Sequence, residues 1–216
     1  FYLDPAFQYH APGSRGIHAV YSNERYQNAG FAKNLEYDTV ILGSSVTANF
    51  RPSQFNELFD AKTVKLTFPG GCFQDFETAL DLCFAEQDVK RVFWSIDPKL
   101  LMSDYDNEPT PLPEYLYNKN PLDDVKYLLN KDVLLEQCGE SVLATFSGEE
   151  QALDDAFTWD WKYEFSHEHA LWSYIRPDWN QTPEDADAYD KQIDRNLECV
   201  LGFVESHPET EFYLFT

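Results

Sequence analysis

Positive charge is scarce in this chain of 216 residues: 16 lysines and arginines stand against 38 aspartates and glutamates, a formal net charge of −22 at pH 7. A surface of that sign repels phosphate backbones and anionic lipid, so no nucleic acid partner is expected. Clusters such as Asp104, Asp106 and Glu108, or Glu184, Asp185 and Asp187, read as solvated faces. Cysteines are few, and those at 72, 83, 138 and 199 show neither a CxxC spacing nor a nearby histidine, so no metal site is expected and no cofactor is called for. Cys83 and Cys199 fall on apolar helical stripes, where a thiol behaves as a small hydrophobe, and all four are expected reduced and buried.

Long hydrophobic runs are also missing. No stretch approaches the roughly 18–20 apolar residues needed to cross a bilayer, and no signal-peptide pattern is visible. The sequence opens on Phe1 rather than methionine, the expectation for a mature or cropped chain from which an anchor has been removed.

What is present is apolar and aromatic. Hydrophobic residues make up 43% and aromatics 16%, enough for a packed domain rather than a disordered chain, and the length fits one domain with a smaller insertion. Residues 1–36, rich in Tyr, Asn, Gly and His without a sustained period, read as an extended arm laid over an α/β domain at 37–216.

The most informative stretch runs from Tyr37 to Thr47. Val40, Ile41 and Leu42 form the short apolar run of a strand buried on both faces, and Gly43, Ser44 and Ser45 stop it in a small-residue turn before a segment that reads as helix. Such a turn can present the Ser45 hydroxyl to a ligand, with backbone amides aimed back at it. Equally, small residues routinely join strand to helix, and serine caps helices.

Residues 52–59 then read as a helix and 62–68 as a strand broken by Pro69-Gly70-Gly71. Phe73, Phe76, Leu80 and Cys83 give the inward face of a helix, and 89–96 a third strand. Strand alternating with helix builds a parallel sheet whose site lies at the carboxyl ends of the strands, and Ser45, Gly70 and Asp97 all fall at such ends.

Residues 102–120, with Pro109, Pro111 and Pro113 around Tyr115 and Tyr117, read as a long loop or lid. A helix is expected from Asn120-Pro121 to about Glu136 on a stripe of Leu122, Val125, Leu129 and Val133. Residues 139–181, with Trp159, Trp161, Tyr163, Trp172 and Tyr174, read as a helical insertion packed by aromatics. In all, the insertion covers about 103–181. Thr182-Pro183-Glu184-Asp185 opens a helix with a stripe of Ala186, Tyr189, Ile193, Leu197, Val200 and Val204, and Glu211–Thr216 is a fourth strand. A last strand expected to be central implies that natural sequence continues beyond Thr216.

Glu24-Arg25-Tyr26-Gln27-Asn28 with Gly30, Tyr37 through Thr47, Pro69-Gly70-Gly71, Ser95-Ile96-Asp97, Tyr115-Leu116-Tyr117 and Asn120-Pro121-Leu122 together resemble the SGNH, or GDSL-type, serine hydrolase superfamily. Within it the chain is most similar to membrane-tethered bacterial members related to the protein that transfers D-alanine to teichoic acids. The resemblance spans most of 20–135. It implies a three-layer sandwich with a central parallel, flavodoxin-like sheet, and an acyl-ester hydrolase or acyltransferase acting outside the cytoplasm on cell-wall or surface glycopolymers. Ser45 becomes the nucleophile, with its own amide and that of Gly70 or Gly71 as oxyanion donors; Ser44, Asp97, Tyr115 and Tyr117 are further site candidates.

Two departures matter. Where the family supplies an asparagine in its third block this chain has Asp97, and a carboxylate accepts hydrogen bonds but cannot donate as the amide does. The family's C-terminal aspartate and histidine have no counterpart here, so the chain as given is expected to be inactive by itself. His167 and His169, flanking Glu168, and His207 at a helix end read as surface or capping residues rather than substitutes. Asp104 to Tyr115 fails as a calcium loop, with Pro109 at the sixth position and Tyr115 at the twelfth; Asn180-Gln-Thr182 reads as part of a helix cap rather than a glycosylation site.

The alternative to an enzyme is a catalytically degenerate carbohydrate-binding module that stacks sugars on Tyr115, Tyr117 and the tryptophans. A third reading is a structural partner in an envelope acyl-transfer complex.

Overall fold

A computed structural model describes residues 2–106, 110–120, 122–162, 166–174 and 187–216. The chain runs through α1 (Glu24–Asn34), β1 (Thr39–Gly43), α2 (Pro52–Phe59), β2 (Thr63–Thr67), α3 (Phe73–Glu86), β3 (Arg91–Ser95), α4 (Pro98–Leu101), α5 (Val125–Leu128), α6 (Cys138–Ser147), α7 (His167–Ser173), α8 (Asp190–Ser206) and β4 (Glu211–Phe215). Among the described residues the strands form one all-parallel sheet in the order β2-β1-β3-β4.

Alternate side chains on each strand face opposite layers. Trp94 of β3 packs on Phe73 and Phe76 of α3 and on Phe203 of α8, and Phe212 of β4 meets Phe84 of α3. Their neighbours Phe93 and Tyr213 turn the other way, onto Phe59 of α2. With α1, α3 and α8 on one face and α2 on the other, β1 is buried along its whole length. That is the layering its unbroken apolar run calls for.

Strand ends and helix ends fall close to the expected positions for β1, α2, β2, α3 and β3. Elsewhere the structure departs from expectation. Inside the stretch read as an extended arm, residues 24–34 are helical. Asn23 caps α1 by accepting from the Tyr26 amide at 3.3 Å, and the buried residues of its first five positions, Arg25, Gln27 and Asn28, are polar. Gln27 donates to the carbonyls of Pro5 and Val20, and Asn28 to that of Thr67. Arg25 meets Asp75 at 2.8 Å. The rest of the arm wedges Ala6 and Phe7 into the core, and Asp4 accepts from the Tyr127 hydroxyl at 2.7 Å.

The helix expected through Glu136 is also broken. Only the four residues of α5 form, followed by a π-helical turn at Val133–Gln137 that leads into α6. Asn130 interrupts it, its side-chain oxygen accepting from the Asp132 amide at 2.8 Å in place of the helix's own carbonyl. Tyr127 turns into the core, whereas Leu122 and Leu129 of the expected stripe are 80% and 73% exposed.

Of the aromatics expected to pack an insertion core, Trp161 and Trp172 instead lie 74% and 84% exposed. Cys72, Cys83 and Cys138 are buried free thiols, and Cys199 is half-buried. Glu108, Pro109, Pro121, Tyr163, the Asn180 sequon and the expected cap at Thr182 lie outside the described residues, and α8 begins at Asp190. Rather than sitting centrally, β4 is at one edge of the described sheet. Among the described residues no helix is long and apolar enough to cross a membrane.

Candidate active site

In a sheet ordered this way the chain leaves β1 toward β2 and leaves β3 toward β4, in opposite directions, and the crevice opens above the carboxyl ends of β1 and β3. Two consecutive serines stand there with different fates. Ser44 is half-buried and donates from Oγ to Oδ2 of Asp97, beyond β3, at 2.7 Å. Ser45 is exposed, and among the described residues its hydroxyl makes no hydrogen bond.

The expected helix after Ser45 is a 3₁₀ turn, Ser45–Asn49. Thr47 folds back on it, donating from its amide and from Oγ1 to the Ser44 carbonyl at 3.2 and 2.8 Å. Gly43 makes room for this: a Cβ there would lie 2.7 Å from Thr47 and 2.9 Å from Ser95.

The glycine pair lies beside the serines. The Phe68 amide donates to the Gly43 carbonyl at 2.9 Å, joining the ends of β2 and β1, and Pro69 then lines the same groove as Ser45. Phe68 to Gly71 is a tight turn with Gly70 at φ 64°, closed by the Gly71 amide donating to the Phe68 carbonyl at 2.8 Å. Gly71 therefore commits its amide to the turn. Gly70 is exposed, and its amide makes no hydrogen bond among the described residues. Below the turn, Asp75 accepts from the Cys72 amide at 3.2 Å and Asn28 holds the Thr67 carbonyl at 2.8 Å.

The groove in front of Ser45 has a volume of about 860 Å³. Tyr21 and Glu24 line one part, and burial raises the Glu24 carboxyl above its ordinary range. A longer wall is the segment from Gln151 to Lys162, which meets Tyr21 through Gln151 and Phe157. It is latched to the chain just after Ser45. The Asn49 side-chain oxygen accepts the amides of Trp159 and Asp160 at 2.9 and 3.0 Å, and the Trp159 indole donates to the Ser45 carbonyl at 2.8 Å. Arg51 bridges Asp155 at 2.7 Å and Asp160 at 2.9 Å, while Ser53 donates twice to Asp154. None of these latch residues carries a sequence signal, because their partners lie about 100 or more positions away.

From beneath, buried Lys65 of β2 donates to the carbonyls of Ala48 at 2.6 Å and Phe50 at 2.9 Å, fixing the far end of the turn. Burial, reinforced by Arg51, pulls its ammonium from 10.5 down to about 8. The folded value lies below the unfolded one, so between pH 8 and 10.5 the unfolded chain binds more protons and stability rises with pH. Across that window wild type is expected to gain unfolding free energy relative to Lys65→Met in urea titrations at fixed salt. Parallel curves for the two proteins would contradict it.

The other sequence candidates lie elsewhere. Tyr117 is a core residue whose hydroxyl donates to the Arg25 carbonyl at 2.7 Å, and Tyr115 stands beside Tyr26 under Lys126; neither lines the groove. His207 stacks on Phe84 at 3.6 Å near Asp88 and Lys90, at the amino end of β3 and far from Ser45. His167 and His169 belong to α7, and no histidine lines the groove among the described residues. Nor is any group of His, Cys, Asp and Glu there arranged to hold a metal ion.

No family model, curated protein or solved structure matches this chain. The functional reading therefore rests on the groove itself and on the motifs that resemble the SGNH hydrolases.

Proposed function

We propose that the chain is an SGNH-like acyl-ester hydrolase or acyltransferase that works through Ser45 on glycopolymers of the cell envelope, with residues 103–181 as an insertion that builds one wall of its site. The observation that carries this reading is the exposed Ser45 hydroxyl, unengaged among the described residues, at the mouth of the crevice next to the Gly70 turn. Ser45 Oγ attacks the ester carbonyl, the ester C–O bond breaks and the alcohol leaves with a proton. Water or a second hydroxyl then attacks the acyl-enzyme. The amides of Ser45 and Gly70 receive the charge that develops on the carbonyl oxygen.

The general base is the aspartate–histidine pair that the resemblance places after the last strand, and a membrane tether holds the protein outside the cytoplasm. Trp159, Trp161 and the carboxylates of the wall suit the faces and hydroxyls of sugar rings.

The protein expressed from its complete coding sequence is expected to react with a fluorophosphonate at Ser45, forming an O–P bond and releasing fluoride. Ser45→Ala should remove the label and lower ester turnover by about 10³-fold or more. An unlabelled wild type whose ester turnover survives Ser45→Ala would end this reading.

One observation favours a glycan-binding module instead: Asp97 offers an acceptor to Ser44 where the resembling family offers a donating amide. In that case calorimetry finds envelope polysaccharide binding that Ser45→Ala leaves unchanged, and no ester is turned over.

A further inference from the structure

We propose that Trp159 is a positioning and specificity-determining residue of this site: its indole N–H sets the backbone of Ser45, and its ring is the wall against which the group transferred to Ser45 lies. The proposal rests on the reading of Ser45 as a nucleophile.

The direction of a serine hydroxyl depends on the two peptide planes that flank its Cα. The plane before Ser45 is held by Thr47, whose amide and Oγ1 both donate to the Ser44 carbonyl. The plane after it ends in the Ser45 carbonyl, which receives the Trp159 indole at 2.8 Å from 114 residues away. A 3₁₀ turn of five residues has weak hydrogen-bond geometry of its own, so a donor from outside is what keeps the Ser45 carbonyl in one orientation.

That donor is itself fixed. Asn49 accepts the backbone amide of Trp159 at 2.9 Å, and Arg51 grips the acidic residues on either side of it in sequence, Asp155 and Asp160. The indole therefore stands on a three-point mount built from the residues just past the nucleophile. Because Trp159 and Ser45 line the same groove, the ring limits the width of whatever is bonded to Ser45.

The test compares wild type, Trp159→Phe, Trp159→Ala and Asn49→Ala in the full-length protein, using a small ethyl and a bulky aryl fluorophosphonate with thermal melting run alongside. Trp159→Phe keeps an aromatic ring but loses the donor, so labelling of Ser45 by both probes should slow about tenfold, the scale of one hydrogen bond, with the melting temperature lowered by no more than a few degrees. Trp159→Ala should also raise the bulky-to-small rate ratio, which loss of stability alone would not do. Asn49→Ala, which leaves the indole in place but frees its mount, should reproduce the slow labelling of Trp159→Phe. Wild-type rates in Trp159→Phe, or an unchanged probe ratio in Trp159→Ala, would overturn the proposal and leave Ser45 standing. A wild type that takes no label would overturn both.

Discussion

Asp75→Ala should remove about 3–5 kcal/mol of unfolding free energy, the usual effect of deleting one partner from a buried ion pair. Asp75 is fully buried, and one of its oxygens holds Arg25 at 2.8 Å. Arg25 is itself buried and already carries an Nη2 without a hydrogen-bond partner among the described residues, so loss of the carboxylate strands a guanidinium in the core. The second Asp75 oxygen accepts the Cys72 amide at the start of α3, where a negative charge also complements the helix dipole. The substitution therefore removes a counter-ion and a cap together. Replacing both partners, as Arg25→Met with Asp75→Leu, should recover most of the loss because no charge is left buried. Denaturant unfolding of the single and double variants checks this, and equal losses would mean that packing, not charge, sets the cost.

Gly30→Ala is expected to be nearly as damaging, at about 3 kcal/mol, the upper end for overpacking. A Cβ on Gly30 would collide with the carbonyl oxygen of Ala6 and lie 2.6 Å from that of Phe7. Both obstacles are backbone, so no side-chain rotation relieves the clash and the arm must lift from α1. Faster amide exchange and proteolysis within residues 2–22 would report that lifting. Gly202→Ala is the matched control. It lies inside α8 with no described residue within 4 Å of its Cβ position, and should stabilise by about 0.5–1 kcal/mol through helix propensity alone.

These two sites also show where the sequence was readable. For β1, α3 and β3 burial follows a local run or period of apolar residues, and the pattern located them, as it did α2 and β2 between their Pro and Gly breaks. In α1 the buried positions include Arg25, Gln27 and Asn28, which donate to partners up to 50 residues away. A helix that buries these beside Ala29, Phe31 and Ala32 shows no clear apolar stripe, so its sequence reads as an irregular arm. In 120–136 the stripe existed but misled, because the Asn130 side chain competes with the helix and Tyr127 supplies the inward contact instead.

The candidate site divides along the same line. Ser45, Gly70 and Asp97 announce themselves as turns at strand ends, which is local information. Asn49, Arg51 and Trp159 function only as pairs that the fold assembles, and nothing adjacent to them in sequence marks them. Tyr115 and Tyr117 show the opposite error, since aromatics in a proline-rich loop resembled a sugar platform while Tyr117 serves the core through a buried hydroxyl.

The wall from Gln151 to Lys162 is joined to residues 49–53 by hydrogen bonds and ion pairs, and to the core by Ala156 and Phe157, rather than by strand pairing. Exchanging that wall for another would mean keeping two kinds of seat at once, the polar partners at 49–53 and the apolar berth of Ala156 and Phe157, while the strands beneath stay as they are.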